Sequence, residues 1–159
     1  MTTNLARSGP GFLMDSVDLK LLKILAEDAH TPLRKLGREL GLSPSGVRRR
    51  IKQMEKNGLI IKYSAVIDPK KYGYGVTAFI SVDADSRELG ELTKSLSRRH
   101  EVCELHRTIG GHDLMIKVRV KDVDTLNKFV DDHIRCFDSV KSVRTTLAME
   151  TIKETLVNP

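Results

Sequence analysis

The chain has 159 residues, 30% of them charged and 40% apolar, a balance that belongs to a folded globular protein and excludes a disordered or fibrous one. No run reaches the roughly 18 apolar residues that a bilayer span needs, and two cysteines are too few for a disulfide framework, which suits a reducing cytoplasm. The net charge of +6 is unevenly placed: residues 1–62 hold 12 Lys and Arg against 6 Asp and Glu, whereas residues 63–159 hold 15 of each. One part of the chain is suited to meet a polyanion and the other to do something else.

Residues 1–14 contain Arg7 but no continuous apolar stretch, so they read as a mobile leader and not as a signal peptide. A first helix follows, with Ser16 as its capping residue, Asp18 in its first turn and Leu21, Leu22 and Leu25 on one face. His30-Thr31-Pro32 breaks it, and Leu33, Leu36 and Leu40 mark a shorter second helix that stops at Gly41. Ser43 then caps a third helix with Pro44 in its first turn and an apolar stripe of Val47, Ile51 and Met54, ending at Asn57-Gly58. Two helices joined by a tight Gly-containing turn match a helix-turn-helix, although a generic helical hairpin shares that pattern.

Beyond Gly58 the period changes. Leu59–Ile67 is rich in β-formers and predicts a strand closed by Asp68-Pro69, and Tyr72–Gly75 predicts a loop. The remainder alternates as strand Val76–Val82, helix Ser86–His100, strand Val102–Ile109, strand Leu114–Val120, helix Asp122–Phe137 and strand Val140–Ile152. The expected fold is therefore α+β. A three-helix helix-turn-helix domain spans 15–62, a connecting strand and linker span 63–75, and a βαββαβ ferredoxin-like domain spans 76–157. Thr77, Phe79 and Ser81 alternate with Val76, Ala78, Ile80 and Val82, so the sheet's second face is not purely polar and is expected to pack against another copy.

The third helix carries the chemistry of the basic half. At about 100° per residue, Ile51, Met54 and Gly58 fall within about 40° of Val47, and Ser45, Arg49, Lys52 and Lys56 fall opposite them. Arg48 and Arg50 flank the stripe. A cationic face that opens with small hydroxyl residues suits entry into the major groove of double-stranded DNA, so Ser43, Ser45, Arg48, Arg49, Arg50 and Lys52 are the candidate contacts. Arg34 and Lys35, on the preceding helix, are placed to grip the flanking phosphates.

From Ser16 to Leu156 the chain resembles the leucine-responsive/asparagine-regulator (Lrp/AsnC, feast/famine) family of transcription regulators. The resemblance is carried by Asp18 with Leu21-Leu22, by Leu36 through Gly41-Leu42-Ser43, and by Val47-x-x-Arg50. Met54-Glu55-x-x-Gly58-x-Ile60 and the Gly110-x-x-Asp113 turn complete it. It implies a RAM/ACT-like second domain, dimers through its sheet, tetramers or octamers beyond them, and pseudo-palindromic DNA targets. It also implies a small molecule, usually an amino acid, bound between subunits near that turn.

Taken alone, Gly-Gly-His-Asp reads as a plain hairpin turn; the resemblance makes it an effector candidate. Gly110 and Gly111 would offer backbone N–H groups to a carboxylate, and Asp113 would accept from an α-amino group. Thr108 precedes the turn, Thr145 and Thr146 offer hydroxyls from the last strand, and His112 would make binding pH-sensitive. A zinc site from Cys103-x-x-His106 and His133-x-x-Cys136 is set aside, because Cys103 and His106 fall on opposite faces of a strand. With no nucleophile elbow, phosphate loop or His-Glu-x-x-His, neither an enzyme nor a cofactor is expected, beyond an amino-acid effector.

Overall fold

A computed structural model describes residues 6–8, 12–85 and 88–155. The chain divides into two compact units: one holds the residues up to Ala65 with the C-terminal residues from Lys153, and the other is Val66–Ile152.

The first unit begins with a short antiparallel pair, β1 (Ala6–Ser8) and β2 (Phe12–Met14), in the register Ala6↔Met14. Within the segment 1–14 that reads as a mobile leader, only residues 6–8 and 12–14 are described, and the rest of it lies outside the described residues. Met14 is buried while Leu13 is exposed, the alternation of a strand that covers apolar surface with one face. Helices α1 (Ser16–Glu27), α2 (Leu33–Leu40) and α3 (Pro44–Lys56) follow within a residue or so of expectation. Asp15, not Ser16, caps α1. Its carboxylate accepts from the N–H groups of Val17 and Asp18, and the Asp18 carboxylate reaches back to the Asp15 N–H, which makes a capping box.

Leu21, Leu36, Val47 and Met54 are fully buried at the centre of this unit, each contributing on the order of 1.5–3 kcal/mol of transfer free energy. The turn between α2 and α3 is possible because residue 37 is glycine: a Cβ there would lie 2.6 Å from the Leu42 carbonyl oxygen.

The strand expected over Leu59–Ile67 does not form. Leu59 and Ile60 fold back instead, each donating its N–H to the Met54 carbonyl and packing on the helical core. Ile61–Ile67 is exposed and has no ladder partner among the described residues, and an apolar β-forming run without a partner cannot become a strand. Within the expected linker 63–75, Pro69–Tyr72 forms a helical turn, α4, capped by Asp68 and ending where the expected loop begins.

In the second unit β3 (Val76–Ala84), β4 (Val102–Arg107), β5 (Leu114–Val120) and β6 (Val140–Leu147) form one antiparallel sheet in the order β4-β5-β3-β6, the split βαβ topology. Ala78, Ile80, Val82 and Ala84 of β3 and Leu114, Ile116, Val118 and Val120 of β5 bury one sheet face. That face packs against α5 (Leu89–Leu96) and α6 (Val123–Val130), the latter continued by a π-helical turn over Asp131–Arg135. Phe79 and Met115 lie on the other face, 41% and 42% exposed. β6 stops at Leu147, short of the expected Ile152.

Candidate nucleic-acid interface and effector turn

Helix α3 is anchored by its sequence-local chemistry. Ser43 Oγ accepts from the Gly46 N–H at 3.1 Å, Pro44 occupies the first turn where its missing N–H costs nothing, and Val47 and Met54 are sunk in the core. The opposite side is open. Ser43, Ser45, Arg48, Arg49, Lys52 and Lys56 are all exposed, and the Ser43 and Ser45 hydroxyls are 3.0 Å apart. Arg34 and Lys35 are exposed on α2. Arg38, one turn beyond Arg34, lines with it a shallow depression floored by Gly37, Gly41, Leu42 and Pro44. The i, i+4 spacing of the two arginines was the signal in the sequence that could have drawn Arg38 into the candidate set.

Arg50 departs from the expected set. Its guanidinium Nη1 donates to Asp18 Oδ1 at 2.6 Å and to Asp15 Oδ2 at 2.8 Å, which ties the middle of α3 to the N-terminus of α1. The Asp18 side chain is only 7% exposed. Burial works against ionisation of Asp15, but the Asp18 N–H, the Arg50 guanidinium and the Val17 N–H outweigh it and hold the carboxyl below its ordinary range. Asp18, ahead of Asp15, raises the Arg50 guanidinium in turn. Arg50, expected among the DNA contacts, thus makes an internal ion pair, because its angular position at the edge of the stripe brings it to α1.

The turn between β4 and β5 is closed by its own bonds: the Thr108 N–H donates to the Asp113 carbonyl at 3.0 Å, and the Thr108 hydroxyl donates to the His112 carbonyl. Gly110 takes a φ of 131°, a conformation that a side chain would strain, and both Gly110 and Gly111 are exposed. Asp113 and His112 are drawn toward β3. The Asp113 N–H donates to the Val82 carbonyl at 3.1 Å, and its carboxylate Oδ2 accepts from the Ala84 N–H at 3.0 Å. His112 Nδ1 lies 3.0 Å from Asp83 Oδ1, and the Ser142 hydroxyl donates to the other Asp83 oxygen. The Ser142 bond, followed by His112, holds the Asp83 carboxyl below its ordinary range.

This network lies where the β3–β6 register shifts, between Asp83 and Ala84. Neither Asp83 nor Ser142 was a candidate from sequence, because a pairing 59 residues apart leaves no local signal. Thr145 and Thr146 pair with Ile80 and Phe79, so they belong to opposite faces of the sheet and do not converge on one site.

Comparison with known proteins identifies both units. Residues 14–55 match the AsnC-type helix-turn-helix domain, and residues 77–157 match the Lrp/AsnC ligand binding domain. The chain is 34% identical to the HTH-type transcriptional regulator FL11 of Pyrococcus horikoshii over 146 residues, which cover 92% of this chain and 96% of that one. Among solved structures, E. coli AsnC superposes with a TM-score of 0.86 at 26% identity, covering 93% of this chain and all (100%) of that one. A transcriptional regulator of Neisseria meningitidis, solved as a complex with L-Met, superposes with a TM-score of 0.87 at 26% identity and covers 92% of this chain and 96% of its own. With a basic helix-turn-helix unit, a four-stranded ligand-domain fold and matches that run nearly end to end, this chain belongs to the Lrp/AsnC family of transcription regulators.

Proposed function

We propose that α3 enters the major groove of its operator, with Ser43, Ser45, Arg48, Arg49 and Lys52 facing base edges and phosphates. Arg34, Lys35 and Arg38 grip the flanking backbone. The observation that carries this reading is the division of α3 into a sunk apolar stripe and an exposed cationic face. The head corresponds to 15–62, the linker to 63–75 and the effector and assembly domain to 76–157. The protein works in the cytoplasm as a homo-oligomer, a dimer that grows to a tetramer or octamer, joined through the sheet face that exposes Phe79 and Met115.

The effector is an amino acid bound at the Thr108–Asp113 turn between subunits. Support for that class comes from the Neisseria relative, solved with L-Met, and from the exposed Gly110 and Gly111, suited to a carboxylate. Of the side chains considered, Asp113 keeps one carboxylate oxygen beyond its bond to Ala84, and His112 keeps its second nitrogen. Thr145 and Thr146 lie on opposite sheet faces, so one of them at most contributes, and Thr146 is the one that shares the open face with Phe79. Occupancy of the turn acts by favouring one assembly over another, which requires the effector to bind the two with different affinity.

The test is a fluorescence-anisotropy titration onto a duplex selected from a random pool by the protein itself, with unselected duplex as competitor, in the presence and absence of the twenty amino acids. Selective binding that shifts with the mixture is the expected result. Equal binding to both duplexes would make this a packing protein, and equal effector affinity for free and DNA-bound protein would remove the allosteric part of the reading.

A further inference from the structure

We infer that Arg50 is a positioning residue that fixes the roll of α3 on its own domain and does not itself touch DNA. The inference rests on the reading of α3 as the recognition helix. The contacts that hold α3 from below are apolar: Val47 and Met54, with Ile51 partly buried beside them. Such contacts favour burial but are non-directional, so a charge-assisted bond to a fixed partner adds an orientational constraint that they do not supply. Recognition needs such a constraint, because side chains must be held within about 10–20° to meet a pattern of donors and acceptors.

Arg50 supplies the missing direction. One guanidinium nitrogen is shared by two carboxylates at 2.6 and 2.8 Å, and those carboxylates are themselves locked in the α1 capping box by three backbone N–H groups. Asp18 is almost fully buried, so its carboxylate has little water to turn to in place of Arg50. Arg49, the next residue, is rotated by about 100° into the exposed face. The two neighbouring arginines therefore divide the work: Arg49 is free to bind and Arg50 sets where Arg49 points.

The inference separates from a DNA contact by salt dependence and from a purely stabilising ion pair by specificity. The measurement is binding of the full chain to the selected and unselected duplexes over a series of salt concentrations, with folding checked by circular dichroism at each temperature used. Arg49→Ala should make the slope of log affinity against log salt shallower by about one. Arg50→Met should leave that slope unchanged while the preference for the selected duplex falls about tenfold. Asp18→Asn, which retains Arg50, should lose preference in the same direction, and Arg50→Lys should recover part of it.

A shallower slope in Arg50→Met, or a preference that falls in Arg50→Met but not in Asp18→Asn, would overturn the inference and return Arg50 to the contact set. A preference that stays intact in the folded fraction of both variants would also overturn it, leaving a stabilising pair only. If Arg49→Ala changes neither slope nor preference, α3 is not the recognition helix, and the broader reading fails together with this one.

Discussion

The two polar networks of this protein, one around Arg50 and one around Asp83, are built alike but leave different chemistry exposed. In the head, carboxylates on α1 take up one cation of α3, and the remaining cations of that helix stay in solvent. In the second unit, a carboxylate on β3 takes up the imidazole of the turn, and a β3 N–H takes up the turn's own carboxylate. What stays exposed there is Thr108, Ile109 and the backbone of Gly110 and Gly111. Side-chain cations suit a polyanion of variable shape, whereas exposed backbone N–H groups suit a small ligand with one carboxylate. In both places the residue of strongest apparent chemistry is tied into the fold, and on the proposed reading its neighbours are left to bind.

The largest expected effect bears on whether each unit stands on its own core. Leu36→Ala, which empties a fully buried position in the head, should cost about 2–5 kcal/mol in urea unfolding and abolish DNA binding. The same truncation at Ile116, at the centre of the sheet, should cost a similar amount while leaving the helical signal of the head to melt separately. Next is Gly37→Ala. Its Cβ would meet the Leu42 carbonyl at 2.6 Å, so a loss of about 1–3 kcal/mol and of operator affinity is expected, and a crystal structure showing an unmoved turn would contradict the account.

A smaller effect separates the two networks. Asp83→Asn should weaken amino-acid binding, read by calorimetry, about tenfold through loss of charge-assisted bonds to His112 and Ser142, with operator affinity in the absence of effector unchanged. The sign of the acid response follows from the same carboxylates. Asp15 and Asp83 are held below their ordinary value in the folded chain, so their stabilising contribution is present above the unfolded value of about 3.9 and disappears as pH falls through the folded values. Urea midpoints should stay level from about pH 7 to 5, drop below about pH 4, and drop less steeply in Arg50→Met. The smallest effect is expected at Arg135. Its ion pair with Asp131 leaves both side chains 60% exposed, so Arg135→Ala should shift stability by no more than about 0.5 kcal/mol.

Most of the architecture was legible because strong periodicity and punctuation agreed. Leu33 to Leu40 before Gly41, Ser43-Pro44 before α3, and the unbroken apolar alternation of Leu114–Val120 each carry their own boundary signals. The misreading of Leu59–Ile67 shows the limit of β-propensity. It measures fitness for a pleated surface, and nothing local reveals that Leu59 and Ile60 close the end of α3 while the rest lacks a partner strand among the described residues.

The α1 cap was misplaced by one residue because Ser16 and Asp15 are both good caps. The reciprocal bond from Asp18, three residues on, decides for Asp15. On the candidate interface, angular position distinguished Arg49 from Val47 cleanly but left Arg50 at the margin, where only the packing of α1 assigns it. Around the turn, Gly110 and Asp113 carried a motif, whereas Asp83 and Ser142 are brought in by sheet register and were invisible to any local reading.

The central claim is that the outer face of α3 meets DNA while Arg50 stays tied to α1. Guanidinium-resolved NMR of the isotope-labelled chain, titrated with the selected duplex, tests it most directly. The account predicts that the Arg48 and Arg49 side-chain signals shift and slow their exchange on binding, while the Arg50 signal keeps its position and its protection. An Arg50 signal that moves with theirs, as its bonds to Asp15 and Asp18 open, would contradict it.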